Sequence, residues 1–157
     1  MGSDATFGEP TFSSEAGITI DLSDDNKAFT VAFSDSSGLA VRLDQGTAPI
    51  ITRVCSFALP LSGAAPGLEI PFNLQGFVFT ETGANGHLLF SVNDQTMVVD
   101  FPENSDDSFL KQFSYKAGNA SELRISVFLL ADRDSTSSDG VNLSVTAIDT
   151  DVLKPQR

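Results

Sequence analysis

Apolar side chains recur at every second position through most of the chain. Ile18, Ile20 and Leu22 share one parity, as do Phe29, Val31 and Phe33, then Leu39, Val41 and Leu43. Cys55, Phe57, Leu59 and Leu61 line up opposite Val54, Ser56, Ala58 and Pro60. Phe77 and Phe79 alternate with Gly76 and Val78, and the series Leu88, Phe90, Val92 and Met97, Val99, Phe101 follow. Leu123, Ile125, Val127 and Leu129 alternate with Arg124, Ser126, Phe128 and Leu130, and Val141, Leu143 and Val145 come last. A period of two sends successive side chains to opposite faces of an extended segment, so one face is buried and the other wet. About ten such segments at roughly ten-residue spacing predict an all-β fold, a single antiparallel β-sandwich of jelly-roll type.

Turn residues separate the segments: Ser23-Asp-Asp-Asn26, Ser34-Asp-Ser-Ser-Gly38, Gly63-Ala-Ala-Pro-Gly67, Gly83-Ala-Asn-Gly86 and Ser135-Thr-Ser-Ser-Asp-Gly140. Asn85-Gly86 suits a tight hairpin, because both residues tolerate positive φ. Ser105-Asp-Asp-Ser-Phe-Leu-Lys-Gln-Phe113 is the one helix candidate. Ser105 would cap it, with Asp106 and Asp107 near the positive end of the dipole, over one or two turns at most. No repeat, low-complexity tract or linker divides the chain, so residues 4–153 form one domain. Met1-Gly2-Ser3 reads as a cloning remnant and 154–157 as a frayed end.

Composition narrows the classes. A chain of 157 residues can bury one sizeable core. Thirteen Phe, no Trp and one Tyr supply its bulk. Nine basic against twenty-one acidic residues leave a net charge of −12, which opposes nucleic acid and anionic membranes. No apolar run approaches the ~20 residues that span a bilayer. The single cysteine, Cys55, shares parity with Phe57 and Leu59 and is expected inside as a small apolar residue. Two glycosylation sequons, Asn119-Ala120-Ser121 and Asn142-Leu143-Ser144, matter only in a eukaryotic secretory pathway.

Several segments together resemble a family of secreted bacterial and fungal proteins known only as domain of unknown function 4360. The segments are Leu22-Ser-Asp-Asp-Asn-Lys-Ala-Phe-Thr-Val-Ala-Phe33, Arg53-Val-Cys-Ser-Phe-Ala-Leu-Pro-Leu61, Pro66-Gly67 and Gln75-Gly-Phe-Val-Phe79. Asp107-Ser-Phe-Leu110 and Ser121-Glu-Leu-Arg-Ile-Ser126 are similar to later segments. The resemblance implies secretion and a β-sandwich, and no activity. The family's other cysteines and its late tryptophan have no counterparts, so the disulfides it implies cannot form.

The residues supply few catalytic sets. Serine-type catalysis needs a histidine base, and His87, the only histidine, is expected as a solvated turn residue. A zinc site needs three or four soft or imidazole ligands, more than one His and one Cys provide. No phosphate-cradling glycine loop is present. Glycoside hydrolysis needs two carboxylates about 5–10 Å apart, for which Glu69 and Glu81 are the candidates. Calcium takes six to eight oxygen ligands, which acidic loops can provide. Candidate calcium residues are Asp21, Asp24 and Asp25 with Asn26, and Asp132, Asp134 and Asp139; Glu103, Asn104, Asp106 and Asp107, and Asp149 with Asp151, form further clusters.

The expected function is a non-catalytic binding or structural module, secreted, periplasmic or on the cell surface, working through its end loops. Protein and surface carbohydrate are the partner classes. Calcium-dependent carbohydrate binding is the alternative and glycoside hydrolysis the weakest reading. Self-association is the further option: Phe128, Leu130 and Ile148, off the main inward parity, either form an intersubunit patch or pack under a second layer.

Overall fold

The computed structural model describes residues 5–12, 18–33, 38–43, 49–63, 67–133 and 140–150. Among them are twelve strands: β1 (Thr6–Phe7), β2 (Thr11–Phe12), β3 (Ile18–Leu22), β4 (Phe29–Phe33), β5 (Leu39–Leu43), β6 (Ile50–Ser62), β7 (Glu69–Thr80), β8 (Ala84–Val92), β9 (Gln95–Phe101), β10 (Asp106–Lys116), β11 (Glu122–Arg133) and β12 (Val141–Thr150). They form two antiparallel six-stranded sheets. The first runs β1-β6-β11-β8-β9, with β2 also on β6; the second runs β10-β7-β12-β4-β3, with β5 also on β12. The expected all-β sandwich is what the chain forms.

The inward parity fills the space between the sheets. Phe29, Phe72, Phe90, Leu59, Leu74, Leu88 and Leu123 are fully buried there, each worth roughly 1.5–3 kcal/mol in apolar burial. Phenylalanine rings meet edge to face within the second sheet and across to the first. Phe7 touches Phe29 at 4.9 Å between centroids, Phe29 reaches Phe72 at 6.0 Å, Phe72 reaches Phe90 at 5.3 Å and Phe90 reaches Phe113 at 5.6 Å. Such edge-to-face pairs add to the burial itself. Cys55 lies in this core, fully buried as its parity required.

Four local expectations are corrected. The helix expected over 105–113 is strand β10, paired with β7 from Asp106↔Phe79 to Lys116↔Glu69. Phe109 and Phe113 suit a helical spacing, but Phe109, Lys111, Phe113 and Tyr115 also alternate. The alternation wins because it places Tyr115 in the core and lets Phe113 meet Phe90. Ser105 does not cap a helix: its N–H donates to Thr80 Oγ1 at 2.8 Å and its hydroxyl to the Pro102 carbonyl at 2.7 Å.

The hairpin expected at Asn85-Gly86 turns earlier, at Thr82-Gly83, where Gly83 takes φ 83°. Keeping Leu88, Phe90 and Val92 inside forces Gly86 inside as well, where a Cβ would stand 3.3 Å from Leu143 Cδ2. Phe77 and Phe79 sit on the outer face of β7, because Ile70, Phe72, Leu74 and Val78 take the inner one. Finally, a bulge between Val145 and Ala147 reverses parity in β12, so Ile148 joins the inward parity and is fully buried, which fits its packing under a second layer and excludes it from a patch with Phe128 and Leu130.

Candidate functional site

The strand register sets side chains of neighbouring strands beside one another, so the outer face of the first sheet divides into rows. One row is apolar across four strands: Val54 on β6, Phe128 on β11, Leu89 on β8 and Val98 on β9. Three strand spacings make it about 14 Å wide. Phe128 and Leu89 are half-buried, while Val54 and Val98 are 53% and 58% exposed. The next row is entirely hydroxyl: Ser56, Ser126, Ser91 and Thr96. Ser56 and Ser126 share a hydrogen bond of 3.2 Å, and Ser91 and Thr96 one of 3.0 Å.

A shallow depression of about 480 Å³ opens on the hydroxyl side of this face. Ser56, Ser91, Ser126, Thr11, Asn93, Glu122 and Arg124 supply its polar lining. Asn93, in the β8–β9 turn at φ 53°, holds the far wall. Its side chain accepts the Arg124 N–H at 2.8 Å and donates to the Glu122 carbonyl at 3.0 Å and the Tyr115 hydroxyl at 2.6 Å. Asn tolerates that backbone better than most residues, so one side chain satisfies both the turn and the wall. Arg124 Nε donates to Glu122 Oε1 at 2.8 Å, which neutralises the pair.

On the other side of the apolar row lie Thr52, Leu130, His87 and Asp100. His87, expected in a turn, is within β8 and is held from both sides. Its Nδ1 lies 2.8 Å from Asp100 Oδ1 and its Nε2 2.9 Å from Asp132 Oδ2. Only the doubly protonated ring can donate to both carboxylates at once. Burial is the largest single influence on His87 and pulls its pKa down; the hydrogen bonds and charges of Asp100 and Asp132 outweigh it and hold the imidazole above the ordinary histidine value. Asn85 Nδ2 donates to the other Asp132 oxygen at 3.2 Å. The ring nitrogens point to opposite carboxylates, so while it is doubly protonated His87 offers neither a lone pair to a metal nor a base to a nucleophile.

The other candidate residues are scattered. Asp21 is exposed near the end of β3, opposite Thr30 on β4. Asp24 is exposed in the following turn. Asp25 acts as a turn acceptor, taking the Ser23 hydroxyl at 2.7 Å and the Lys27 N–H at 3.1 Å, and the Ser23 bond foremost keeps its carboxyl below the usual value. Asp134, Asp139 and Asp151 lie outside the described residues. No three His, Cys, Asp or Glu side chains converge on one point among the described residues. Glu69 and Glu81 stand at opposite ends of β7, roughly 40 Å apart at ~3.4 Å per residue, and cannot serve as a glycosidase pair.

The outer face of the second sheet has a contrasting row: Gln112, Asn73, Asp149, Thr30 and Asp21. Gln112 Nε2 donates to Asn73 Oδ1 and Asn73 Nδ2 to Asp149 Oδ1, each at 3.2 Å. The rows on both faces are assembled by register between distant segments, which is why no local motif announced them. Residue parity alone could have placed Ser56, Ser126 and Phe128 outside, but not beside one another.

No protein-family profile matches the chain, and no curated protein matches it. Among solved structures it is similar to TmCBM61, determined in complex with β-1,4-galactotriose, at 10% identity over 93% of this chain and 90% of that one, with a TM-score of 0.37. It is similar to the CBM22-1–GH10 modules of the Clostridium thermocellum xylanase 10B complexed with xylohexaose, at 12% identity over 96% of this chain and a TM-score of 0.33. It spans only 27% of that xylanase chain. A CBM4 structure matches at 12% identity over 91% of this chain and 79% of that one, with a TM-score of 0.29. Likenesses this distant assign no ligand to the chain; its own strand pairing and two outer faces must do so.

Proposed function

We propose that the chain is a non-catalytic binding module that holds a neutral carbohydrate chain against the outer face of its first sheet. One observation carries the reading: a hydroxyl-lined depression abuts an apolar row on the same face. A sugar ring has a C–H face and a rim of hydroxyls. The row Val54, Phe128, Leu89 and Val98 gives the C–H face an apolar seat, and Ser56, Ser126, Ser91 and Thr96 can each donate and accept at the rim. A protein partner would use the apolar row but has less use for four consecutive hydroxyls.

Charge narrows the ligand class. The chain carries −12, and Asp100 and Asp132 flank the apolar row with only His87 between them. Carboxylated or sulfated polymers are repelled there, and neutral ones are not. A polysaccharide ligand goes with a secreted or cell-surface location.

Affinity electrophoresis through gels containing soluble xylan, β-glucan, galactomannan or β-galactan tests the proposal. Retardation by at least one neutral polymer is expected, and Phe128→Ala should abolish it. Free migration in every gel, or unchanged retardation of the variant, would contradict it. Repeating the run with EDTA separates calcium-dependent binding, in which retardation is lost, from binding by the sheet face alone.

A further inference from the structure

A strand at the end of a sheet shows unpaired N–H and C=O groups, and proteins guard such edges with short strands, charges, proline or inward-turned lysines. The described edges of this sandwich are unequal. β1 and β2 have two residues each, with Pro10 between them. β3 has five residues and an exposed Asp21. β10 is long but carries Lys111 on its inward parity, half-buried, and Lys116 at its end.

β9 has one of these guards, a single charge, and that lies near its end. Its seven residues, Gln-Thr-Met-Val-Val-Asp-Phe, include no lysine, proline or glycine. Its one charge, Asp100, lies 2.8 Å from His87 Nδ1 and is otherwise exposed. Within the described sheet it pairs with β8 alone. Val98, at its centre, is 58% exposed, more than any other large apolar side chain among the described residues.

We propose that the free edge of β9 pairs with β9 of a second copy of this chain, antiparallel about a two-fold axis through Val98. The strand is self-complementary in that register. Val98 faces its own equivalent, Met97 faces Val99, Gln95 faces Phe101, and Thr96 faces Asp100, so a hydroxyl donor meets a carboxylate. The two Asp100 side chains stay about 13 Å apart, four strand residues from each other. The outer-face row Val54, Phe128, Leu89 and Val98 then continues into the same row of the second copy. The pairing stands on the edge itself and needs no ligand, but it doubles the length of the binding face proposed above. One seven-residue strand pair is a small interface, so the dimer is weak, and the −12 on each copy makes it weaker at low salt.

Cross-linking tests the register. Directly opposed residues of an antiparallel pair have Cα atoms about 4.5–5.5 Å apart, within disulfide reach. Val98→Cys should give a disulfide-linked dimer under mild oxidation. Thr96→Cys, about 13 Å from its equivalent, should not. Cys55 is fully buried and does not compete. In sedimentation, the wild-type chain should dimerise as concentration and salt rise, Val98→Lys should remain monomeric, and Val54→Lys, at the other end of the same row, should dimerise like wild type. A wild-type monomer at every concentration, a dimer that survives Val98→Lys, or Thr96→Cys linking as fast as Val98→Cys would overturn the proposal. None of these readings involves a carbohydrate, so failure here is separate from failure of the gel assay.

Discussion

On the first sheet the outward side chains sort into bands, a hydroxyl row, an apolar row and a row ending in the Asp100–His87–Asp132 clamp. On the second sheet a central outward row is polar from edge to edge, from Gln112 through Asn73, Asp149 and Thr30 to Asp21, and Gln112, Asn73 and Asp149 satisfy one another. The same two-residue alternation produced both. The difference lies in what a ligand would displace. On the first face it displaces water from exposed Val54 and Val98, which is favourable. Along the polar row of the second it must compete with an amide–amide and an amide–carboxylate bond already made, and the exposed Phe79 and Leu110 lie elsewhere on that face. A banded face suits recognition, and a self-satisfied row suits solubility.

The largest effect expected from breaking this contrast is on the second sheet. At Gly76 β7 runs so close to β12 that an added Cβ would collide with the Ser144 carbonyl and lie 2.6 Å from Phe109 Cζ. Gly76→Ala should therefore cost about 3 kcal/mol in urea unfolding, since backbone cannot yield as a side-chain tip can. A cost under about 1 kcal/mol would show the sheets to be more compliant than this packing implies. Next comes Phe128→Ala, expected to weaken carbohydrate binding at least about tenfold, or ~1.4 kcal/mol, while Phe77→Ala on the other face leaves affinity unchanged. Equal losses from both would erase the distinction between the faces.

Much of the fold was legible in the chain. Alternation placed Phe29, Leu59, Phe90 and Val127 inside without any knowledge of their partners, because one buried face is enough to mark a strand. What failed was decided elsewhere in the molecule. Whether 105–113 became helix or strand depended on the length of β7, which offers β10 eleven opposing residues. Ile148 changed face because of a bulge at the β7–β12 junction. The candidate site was legible only as parity: Ser56, Ser91, Ser126 and Phe128 are outward on three strands far apart in sequence, and register alone gathers them. The His87 clamp was invisible for the same reason, since Asp100 and Asp132 reach it from β9 and β11.

Smaller effects sharpen the contrast further. Asn73→Ala removes two hydrogen bonds of the second face and should lower stability by ~1 kcal/mol in the same unfolding assay, with binding untouched. The His87 clamp should make stability depend on pH. Because the folded value is raised, its contribution is complete below the unfolded histidine value near 6.5 and is lost as pH rises through the folded value. Solvent screens the partly exposed pair, so the change is under ~1 kcal/mol. Melting of wild type against His87→Gln from pH 5 to 9 should show a difference that fades with rising pH; a difference that grows toward pH 9 would mean the ring folds in its neutral form.

The most direct test is amide chemical-shift mapping of the folded chain during titration with neutral cello-, xylo-, manno- and galacto-oligosaccharides. Shifts concentrated at Val54, Ser56, Leu89, Ser91, Val98, Ser126 and Phe128 are the expected result. Shifts concentrated on Asn73, Phe77, Leu110 and Asp149, or no shift with any of these sugars, would contradict the account.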